Sequence, residues 1–211
     1  MKLTRSLLLI TCALCTLGIG VAVALGEEVS KDEWKPAGKQ FKAESNNSGF
    51  LAAGNEAKCQ TFALDGHLPA GNGTTFTEAE AQAETAVNPH VSNCNFATTV
   101  NGPWHIQLHS NGKGFEGQCT VDGDSSDDCI TLHLPANAAK VNFVICEVIV
   151  GAQALVIPYE DEEFEAGKHN TSFEVKELVV KTGGTCGVTS AKFKGTFKVV
   201  AEAQGALITD E

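Results

Sequence analysis

The sequence predicts an all-β protein: an antiparallel β-sandwich or a set of Greek-key-like sheets, stapled by disulfides, with little helix outside its N-terminal segment. Two observations carry this prediction. From Gly49 onward, apolar residues recur with a period of two or in short runs, and Gly, Asn, Asp and Pro interrupt them about every 8 to 12 residues, as in sandwiches and barrels. The second observation is the even number of cysteines, which we describe below.

The first 26 residues have the order of a secretory signal peptide. Lys2 and Arg5 precede an apolar run that starts at Leu7, small residues follow as far as Gly26, and the chain turns acidic at Glu27. We expect residues 1–26 to direct export and to be cleaved, with a retained N-terminal anchor as the alternative. Residues 27–48 are polar and unpatterned, so we expect a flexible segment there, then a single β domain over residues 49–206 and a short tail at 207–211.

The charge balance narrows the choice of partners. The chain carries a net charge of −11, and loss of the first 26 residues removes two positive charges and no acid. Such an acidic domain repels nucleic acid and anionic membrane surfaces. We therefore expect no nucleic-acid partner and no membrane insertion after signal cleavage, and we expect a secreted or extracellular protein whose partner is an extracellular ligand or a cell-surface component.

Six cysteines remain once the signal segment is set aside: Cys59, Cys94, Cys119, Cys129, Cys146 and Cys186. An even number in an exported chain indicates three disulfides, but the sequence does not choose among the possible pairings. None of the six forms a Cys-x-x-Cys pair, so the motif of zinc ribbons and of thioredoxin-like enzymes is missing.

The first element to assign is the segment Thr75–Val87, which has two readings. Thr77 and Glu80 form a possible capping box for a helix. Acidic and amide side chains also alternate strictly with alanines there, and a helix this short is marginal by itself. We favour a strand for the second half, Gln82–Val87.

Three later segments predict strands with one buried and one wet face. In Pro103–His109 and Cys129–Leu134, bulky apolar residues alternate with polar ones. In Ala191–Val200, three lysines alternate with Phe193, Phe197 and Val199. Each of these segments is therefore expected to place its apolar residues toward one core.

Two segments depart from this simple alternation. Val141–Gly151 is apolar on both sides, which predicts a central strand covered by a second sheet. Ser172–Lys181 predicts a long strand whose alternation slips near Glu177, as a β-bulge would cause.

Four stretches in this order, Thr85–Ala97, Cys146–Gln153, Thr182–Gly187 and Lys194–Gly205, resemble stretches of a group of secreted, uncharacterised proteins from soil actinobacteria. In that group a strand leads to a Ser-Gly-Cys turn, a cysteine-led strand ends in a Gly-x-Gln turn, and a Gly/Cys loop precedes the last strand. The resemblance covers about residues 50–205 and implies an exported, disulfide-bonded β domain. It supplies no catalytic or binding residue, and it implies no pairing scheme, because the group often has a cysteine near the position of Trp104.

The histidines raise the question of a metal site. His105 and His109 would share an ion on a helix, but on a strand four residues span about 13 Å, which is too far. A cross-strand site from His109 and His133 is the remaining geometry, since both are expected to face outward on strands that could be neighbours. The alternative is that both are ordinary solvent-facing positions.

The segment Gln118–Pro135 places four aspartates between Cys119 and Cys129 and suggests either a calcium loop or a stapled turn. Asp122, Asp124 and Asp128 are its candidate calcium ligands. Against an EF-hand pattern the loop fails, because the required glycine is replaced by Asp127 and the closing glutamate by His133. We expect a local Cys119–Cys129 disulfide, no cofactor, and at most weak calcium binding.

Two further motifs are expected to be structural. Gly112–Gly117 matches the Gly-x-Gly-x-x-Gly pattern, but a strand rather than a helix follows it, so we expect a turn and not a dinucleotide site. Tyr159–Asn170 contains five acids in the six residues from Glu160 to Glu165, and we expect a charged connecting loop that blocks edge pairing.

These observations favour an exported, non-enzymatic β-sandwich that serves as a cell-surface or extracellular binding or structural module. No Gly-x-Ser-x-Gly turn is present, and paired cysteines leave no thiol for nucleophilic catalysis. The alternative is a secreted hydrolase or carbohydrate-active enzyme whose acidic residues converge only in the fold, because paired carboxylates leave no short motif.

Overall fold

The computed structural model describes residues 33–34, 37–71, 76–77, 83–109, 129–158, 160–165 and 168–200. In this part of the chain all regular structure is antiparallel β-sheet, and no helix occurs. The strands are β1 (Glu33–Trp34), β2 (Gln40–Ala52), β3 (Asn55–His67), β4 (Phe76–Thr77), β5 (Thr85–Cys94), β6 (Ala97–Val100), β7 (Trp104–His109), β8 (Cys129–Leu134), β9 (Ala139–Asn142), β10 (Glu147–Val150), β11 (Gln153–Pro158), β12 (Glu160–Glu165), β13 (Lys168–Gly183) and β14 (Ser190–Val200). The all-β prediction is confirmed.

The strands form one curled sheet, a half-barrel, rather than the two packed sheets of the predicted sandwich. Its order is β11-β8-β7-β5-β3-β2-β14-β13-β10-β9-β6, with β12 also paired to β13, while β1 and β4 form a separate pair. The 16-residue strand β13 explains the continuity, because it pairs with β14 and β12 over its first part and with β10 at Thr182 and Gly183. One long twisted strand therefore joins what would otherwise be two sheets.

The concave face holds a single apolar core. Phe62 lies at its centre, with its ring centroid 5.6 Å from that of Trp104 and 5.7 Å from those of Phe193 and Phe197. Phe173 stacks on Phe197 at 4.9 Å. These rings come from strands distant in the chain, so burying them fixes the curl of the sheet.

The predicted alternation of a buried and a wet face is confirmed for β14 and only in part for β7 and β8, because His109 and Thr131, on the face expected to be wet, are buried. In β7, β8 and β14 the apolar residues that were expected to share a face are all buried. Lys192, Lys194 and Lys198 are exposed on the other face of β14. The predicted bulge near Glu177 is also confirmed, because the β13–β14 register shifts between Val175 and Leu178.

Strand β2 begins nine residues before the boundary that we predicted at Gly49. Phe41, Ala43 and Ser45 face the core and are buried, so Gln40–Ser48 belongs to the sheet and not to a flexible segment. The alternation was hidden in the sequence because two of these three inward residues, Ala43 and Ser45, are small and one of the two is polar.

The inward set of β2 changes parity at Asn46 and Asn47, beyond which Ser48, Phe50 and Ala52 are buried. Asn47 has φ 57°, in the left-handed region that asparagine tolerates, and the β14–β2 register shifts nearby. Opposite this bulge, a Cβ on Gly195 would lie 2.6 Å from Ser48 Cβ and 2.8 Å from Ser45 Oγ, so only glycine fits there.

The prediction of a central strand over Val141–Gly151 was wrong. The segment is a hairpin of β9 and β10, with Val144 and Ile145 at its tip and about 90% exposed. Only Val141, Phe143, Val148 and Val150 are buried. The prediction failed because a continuous apolar run resembles a strand that is covered on both faces. No glycine or proline marks the turn inside this run.

Candidate functional site

The two strands that carry the histidines are neighbours, but their register differs from the one that the metal hypothesis needs. His133 lies opposite His105, whereas His109 lies opposite Cys129. The expectation that His109 faces solvent was also wrong, because it is only 7% exposed. His133 Nε2 is 2.8 Å from Gln107 Oε1, so a hydrogen bond already engages that ring.

No metal site assembles among the described residues. In this part of the chain, no three His, Cys, Asp or Glu side chains come together in a geometry that could hold an ion. His109 and His133 are not cross-strand partners, so the two-histidine site predicted from them is not formed. Asp122, Asp124 and Asp128 lie outside the described residues, and the calcium hypothesis remains a prediction.

The cysteines form two described disulfides, Cys59–Cys94 and Cys146–Cys186. Cys59 and Cys94 lie directly opposite each other on β3 and β5. Cys129 is also disulfide-bonded. Cys119 lies outside the described residues, so its expected bond to Cys129 stays a prediction. Disulfides persist in oxidising compartments, and their presence indicates such an environment.

The Gly-x-Gln turn after β10 holds the edge strand β11 against β13. Gln153 Oε1 accepts a hydrogen bond from the Lys181 backbone N–H at 2.9 Å, and its Nε2 donates to the Lys181 carbonyl at 3.3 Å. The Gly151 N–H donates to the same carbonyl at 3.0 Å. The Gln153 side chain therefore links β11 to β13, two strands that no backbone ladder joins.

The loop Thr182–Gly187 holds the C-terminal end of β13 against β10. The Glu147 N–H donates to Thr185 Oγ1 at 2.9 Å, and the Cys186 N–H donates to the Glu147 carbonyl at 3.1 Å. Gly184 has φ 103°, and a Cβ there would lie 2.3 Å from the Glu147 carbonyl oxygen. Position 184 therefore requires glycine because of its backbone conformation. Thr185 is required because its hydroxyl accepts a hydrogen bond from the Glu147 N–H.

The turn after β5 uses asparagines in the same way. Asn95 Oδ1 accepts from the Lys58 N–H at 2.7 Å, and its Nδ2 donates to the Glu56 carbonyl at 2.9 Å. Asn93, with φ 50°, donates from Nδ2 to Gln60 Oε1 at 2.7 Å. All three motifs that carry the actinobacterial resemblance therefore satisfy backbone or neighbouring groups of the sheet.

The acidic run is a strand and not the connecting loop that we predicted. Glu160–Glu165 forms β12, which pairs with β13 from Glu160 opposite Ser172 to Glu165 opposite Lys168. Among the described strands β13 is its only partner. Consecutive acids on an edge strand discourage pairing with a further chain, so the expected protective role fits the strand equally well.

Ion pairs of the described residues lie at the surface. Lys42 Nζ is 2.6 Å from Glu44 Oε1, and this hydrogen bond, followed by the attraction of the Glu44 charge, raises the pKa of Lys42 above its usual value. His90 Nδ1 lies 3.1 Å from Asp65 Oδ2. The two pairs adjoin each other, because Lys42 lies opposite Asp65 in the β2–β3 register and the Asp65 charge also raises the pKa of Lys42.

The concave interior contains a cavity of about 30 Å³ with an entirely apolar lining. Drug-sized ligands occupy pockets of roughly 300–1,000 Å³ and need a few polar groups for orientation. The cavity is therefore too small for a drug-sized ligand.

The convex face carries a feature that the sequence analysis missed. Lys192 and Lys194 border a surface depression of about 130 Å³, together with Gly49, Leu51 and Glu56. The alternating lysines of Ala191–Val200 were visible in the sequence. Only the register of β14 with β2 and of β2 with β3 shows that Gly49, Leu51 and Glu56 lie beside them.

Comparison of the chain with protein-family models, curated proteins and solved structures finds no match. The actinobacterial resemblance thus rests on its four stretches alone. Among the described residues, no helix is long and apolar enough to cross a membrane.

Proposed function

We propose that the protein is an exported, non-enzymatic β protein that acts as a cell-surface or extracellular binding or structural module. One observation carries this proposal. Side chains of the three turn and loop motifs described above form hydrogen bonds that hold strand edges together, as Gln153 and Asn95 exemplify. Residues engaged in this way are not available for catalysis.

Two further observations support the proposal. The disulfides fit an oxidising location, as expected for a secreted chain. Of the two histidines that we considered as metal ligands, His109 is buried and His133 is hydrogen-bonded to Gln107.

Expression with the native N-terminus in a secreting host, followed by fractionation, tests the export part of the proposal. We expect the protein in the medium or in a salt-washed surface fraction, with no reactive thiol on the cysteines of the two disulfides. Recovery in the cytoplasm with reduced cysteines would contradict it.

A screen of the secreted protein against polysaccharide and ester substrates tests the non-enzymatic part. We expect no turnover above that of a heat-unfolded sample. Hydrolysis that disappears when a single acid is replaced by its amide would overturn the proposal and favour a secreted hydrolase.

A further inference from the structure

The curled sheet ends at β6 (Ala97–Val100), a strand with one open edge. Among the described strands β6 pairs with β9 alone, and it stands last in the strand order. An open edge presents unpaired backbone N–H and C=O groups and serves as a template for one more strand. Such an edge pairs with a further chain unless the protein blocks it.

The hydrogen bonds to β9 show which backbone groups of β6 point outward. Just beyond the strand, the Asn101 N–H donates to the Ala138 carbonyl at 2.9 Å. Antiparallel ladders alternate between residue pairs that exchange hydrogen bonds and pairs that do not. Counting back from Asn101, Thr99 bonds to β9. Thr98 and Val100 have the opposite phase, so their N–H and C=O groups point to the open edge.

Two other edges of the described sheet are protected, whereas β6 is not. Five acids line β12 over Glu160–Glu165, and charge on an edge discourages pairing. The side of β11 that does not pair with β8 faces β13, to which Gln153 and Gly151 are hydrogen-bonded. The sequence of β6 is Ala-Thr-Thr-Val, without charge or proline, and Ala97 and Thr99 are exposed.

The side chains of β6 favour a second copy of this chain over the strand of another protein. Recognition of a foreign strand draws affinity from the main chain and specificity from pockets for alternate side chains. Neither the interior cavity nor the surface depression described above is lined by a residue of β6. Its exposed side chains, Ala97 and Thr99, are small and uncharged. A second copy needs no pocket, because a twofold contact is self-complementary and each interaction occurs twice.

We propose that two copies of this chain associate by antiparallel pairing of their β6 strands about a twofold axis. Because Thr98 and Val100 point outward, Thr98 of one copy pairs with Val100 of the other, and every outward backbone group of both strands gains a partner. Thr99 then lies opposite Thr99 of the second copy, and cross-strand threonine pairs are favourable. The sheet continues from one copy into the next.

Size and charge set the strength of this contact. The paired strands are four residues long, so the contact is well below the roughly 1,200–2,000 Å² of stable interfaces, and the dimer is weak. The net charge of −11 on each copy opposes association, and salt screens that repulsion. Association through an uncharged edge therefore strengthens as salt rises. This inference goes beyond the proposed function and is independent of it.

Sedimentation equilibrium of the full secreted protein tests the proposal, at concentrations up to about 1 mM because a contact of this size is weak. We expect a reversible dimer whose association constant rises when NaCl is raised from about 0.05 to 0.5 M. Hydrogen exchange locates the contact. The amides of Thr98 and Val100 should become protected as the protein concentration rises, whereas the amide of Thr99 should be protected throughout.

Thr99→Lys places like charges opposite each other at the twofold axis and should weaken the dimer about fivefold or more. Thr189→Lys is the matched control, because it makes the same substitution at an exposed threonine between β13 and β14. In the strand order, β10 and β9 separate β13 from β6, so this variant should associate as the wild type does. Thermal melting of both variants confirms that they fold.

A protein that stays monomeric at every concentration, or equal losses in Thr99→Lys and Thr189→Lys, would overturn the proposal. A dimer that weakens as salt rises would do so too, because its contact would be charged. Ile145→Ser separates one further surface, since Ile145 is 91% exposed at the tip of the β9–β10 hairpin. If Ile145→Ser abolishes the dimer and Thr99→Lys does not, the tip joins the copies and the β6 proposal is wrong. The export and turnover tests do not require a dimer, so the two proposals fail separately.

Discussion

At the scale of single residues, polar side chains in this chain replace missing backbone hydrogen bonds. Gln153 supplies a donor and an acceptor to Lys181, a residue 28 positions away. The sequence indicated a turn at Gly151–Gln153, but it could not indicate the partner, because contacts between distant strands leave no local pattern.

Replacing Gln153 by alanine should lower the free energy of unfolding by about 1 kcal/mol, since partly exposed hydrogen bonds of this kind contribute about that much. Urea unfolding measures the effect. Gln60→Ala, which removes one exposed bond between side chains, is the control and should cost less. Equal values for the two variants would refute the tethering role of Gln153.

Buried hydroxyls give a second prediction at this scale. Ser45 Oγ and Ser48 Oγ are buried, and neither finds a hydrogen-bond partner among the described residues. A buried polar group without a partner costs about 1–3 kcal/mol, so Ser48→Ala should raise the unfolding free energy by about 1 kcal/mol. Thermal melting tests this, with exposed Ser92→Ala as a neutral control. A lower midpoint for Ser48→Ala would mean that its hydroxyl is satisfied.

At the scale of elements, the sequence predicted strands best where polar residues separate the apolar ones. The alternation of β7, β8 and β14 was readable because lysine, histidine and glutamine separate the apolar residues. The prediction failed at Val141–Gly151, where the apolar pair Val144 and Ile145 occupies an exposed turn. Tertiary contacts, and not residue type, decide which part of an apolar run is buried.

The disulfide between the β9–β10 hairpin and the loop before β14 ties two elements that are far apart in the chain. Cys146 and Cys186 are 40 residues apart. Replacing both by serine should cost about 4 kcal/mol, because the unfolded chain regains the entropy of the closed loop. Chemical unfolding measures this loss. A change below about 1 kcal/mol would indicate that hydrogen bonds at Glu147 hold the loop without the disulfide.

At the scale of the whole molecule, the all-β class was predictable and the arrangement of the sheet was not. Alternating strands are common to sandwiches and half-barrels, and nothing local distinguishes them. What decides is the length and curl of β13, which joins β14 and the strands beyond it to β10, β9 and β6. The surface depression beside Lys192 and Lys194 escaped prediction for a related reason, because it depends on the register of β14 with β2 and of β2 with β3.

The apolar cavity permits a prediction about global packing. Val150 lines the cavity and Val87 does not. Val150→Ile should fill part of the 30 Å³ and raise stability by about 0.5–1 kcal/mol, whereas Val87→Ile, in a fully buried site, should lower it. Midpoints of thermal unfolding for the two variants, shifting in opposite directions, would support this account. Destabilisation by both would mean that the core has no spare volume near Val150.

The central structural claim is that the cysteines staple one curled sheet. Peptide mapping of the secreted, non-reduced protein by mass spectrometry tests it most directly. We expect Cys59 linked to Cys94 and Cys146 linked to Cys186, because these pairs lie side by side in the fold. Free thiols at these four positions, or a bond from either pair to another cysteine, would contradict the account.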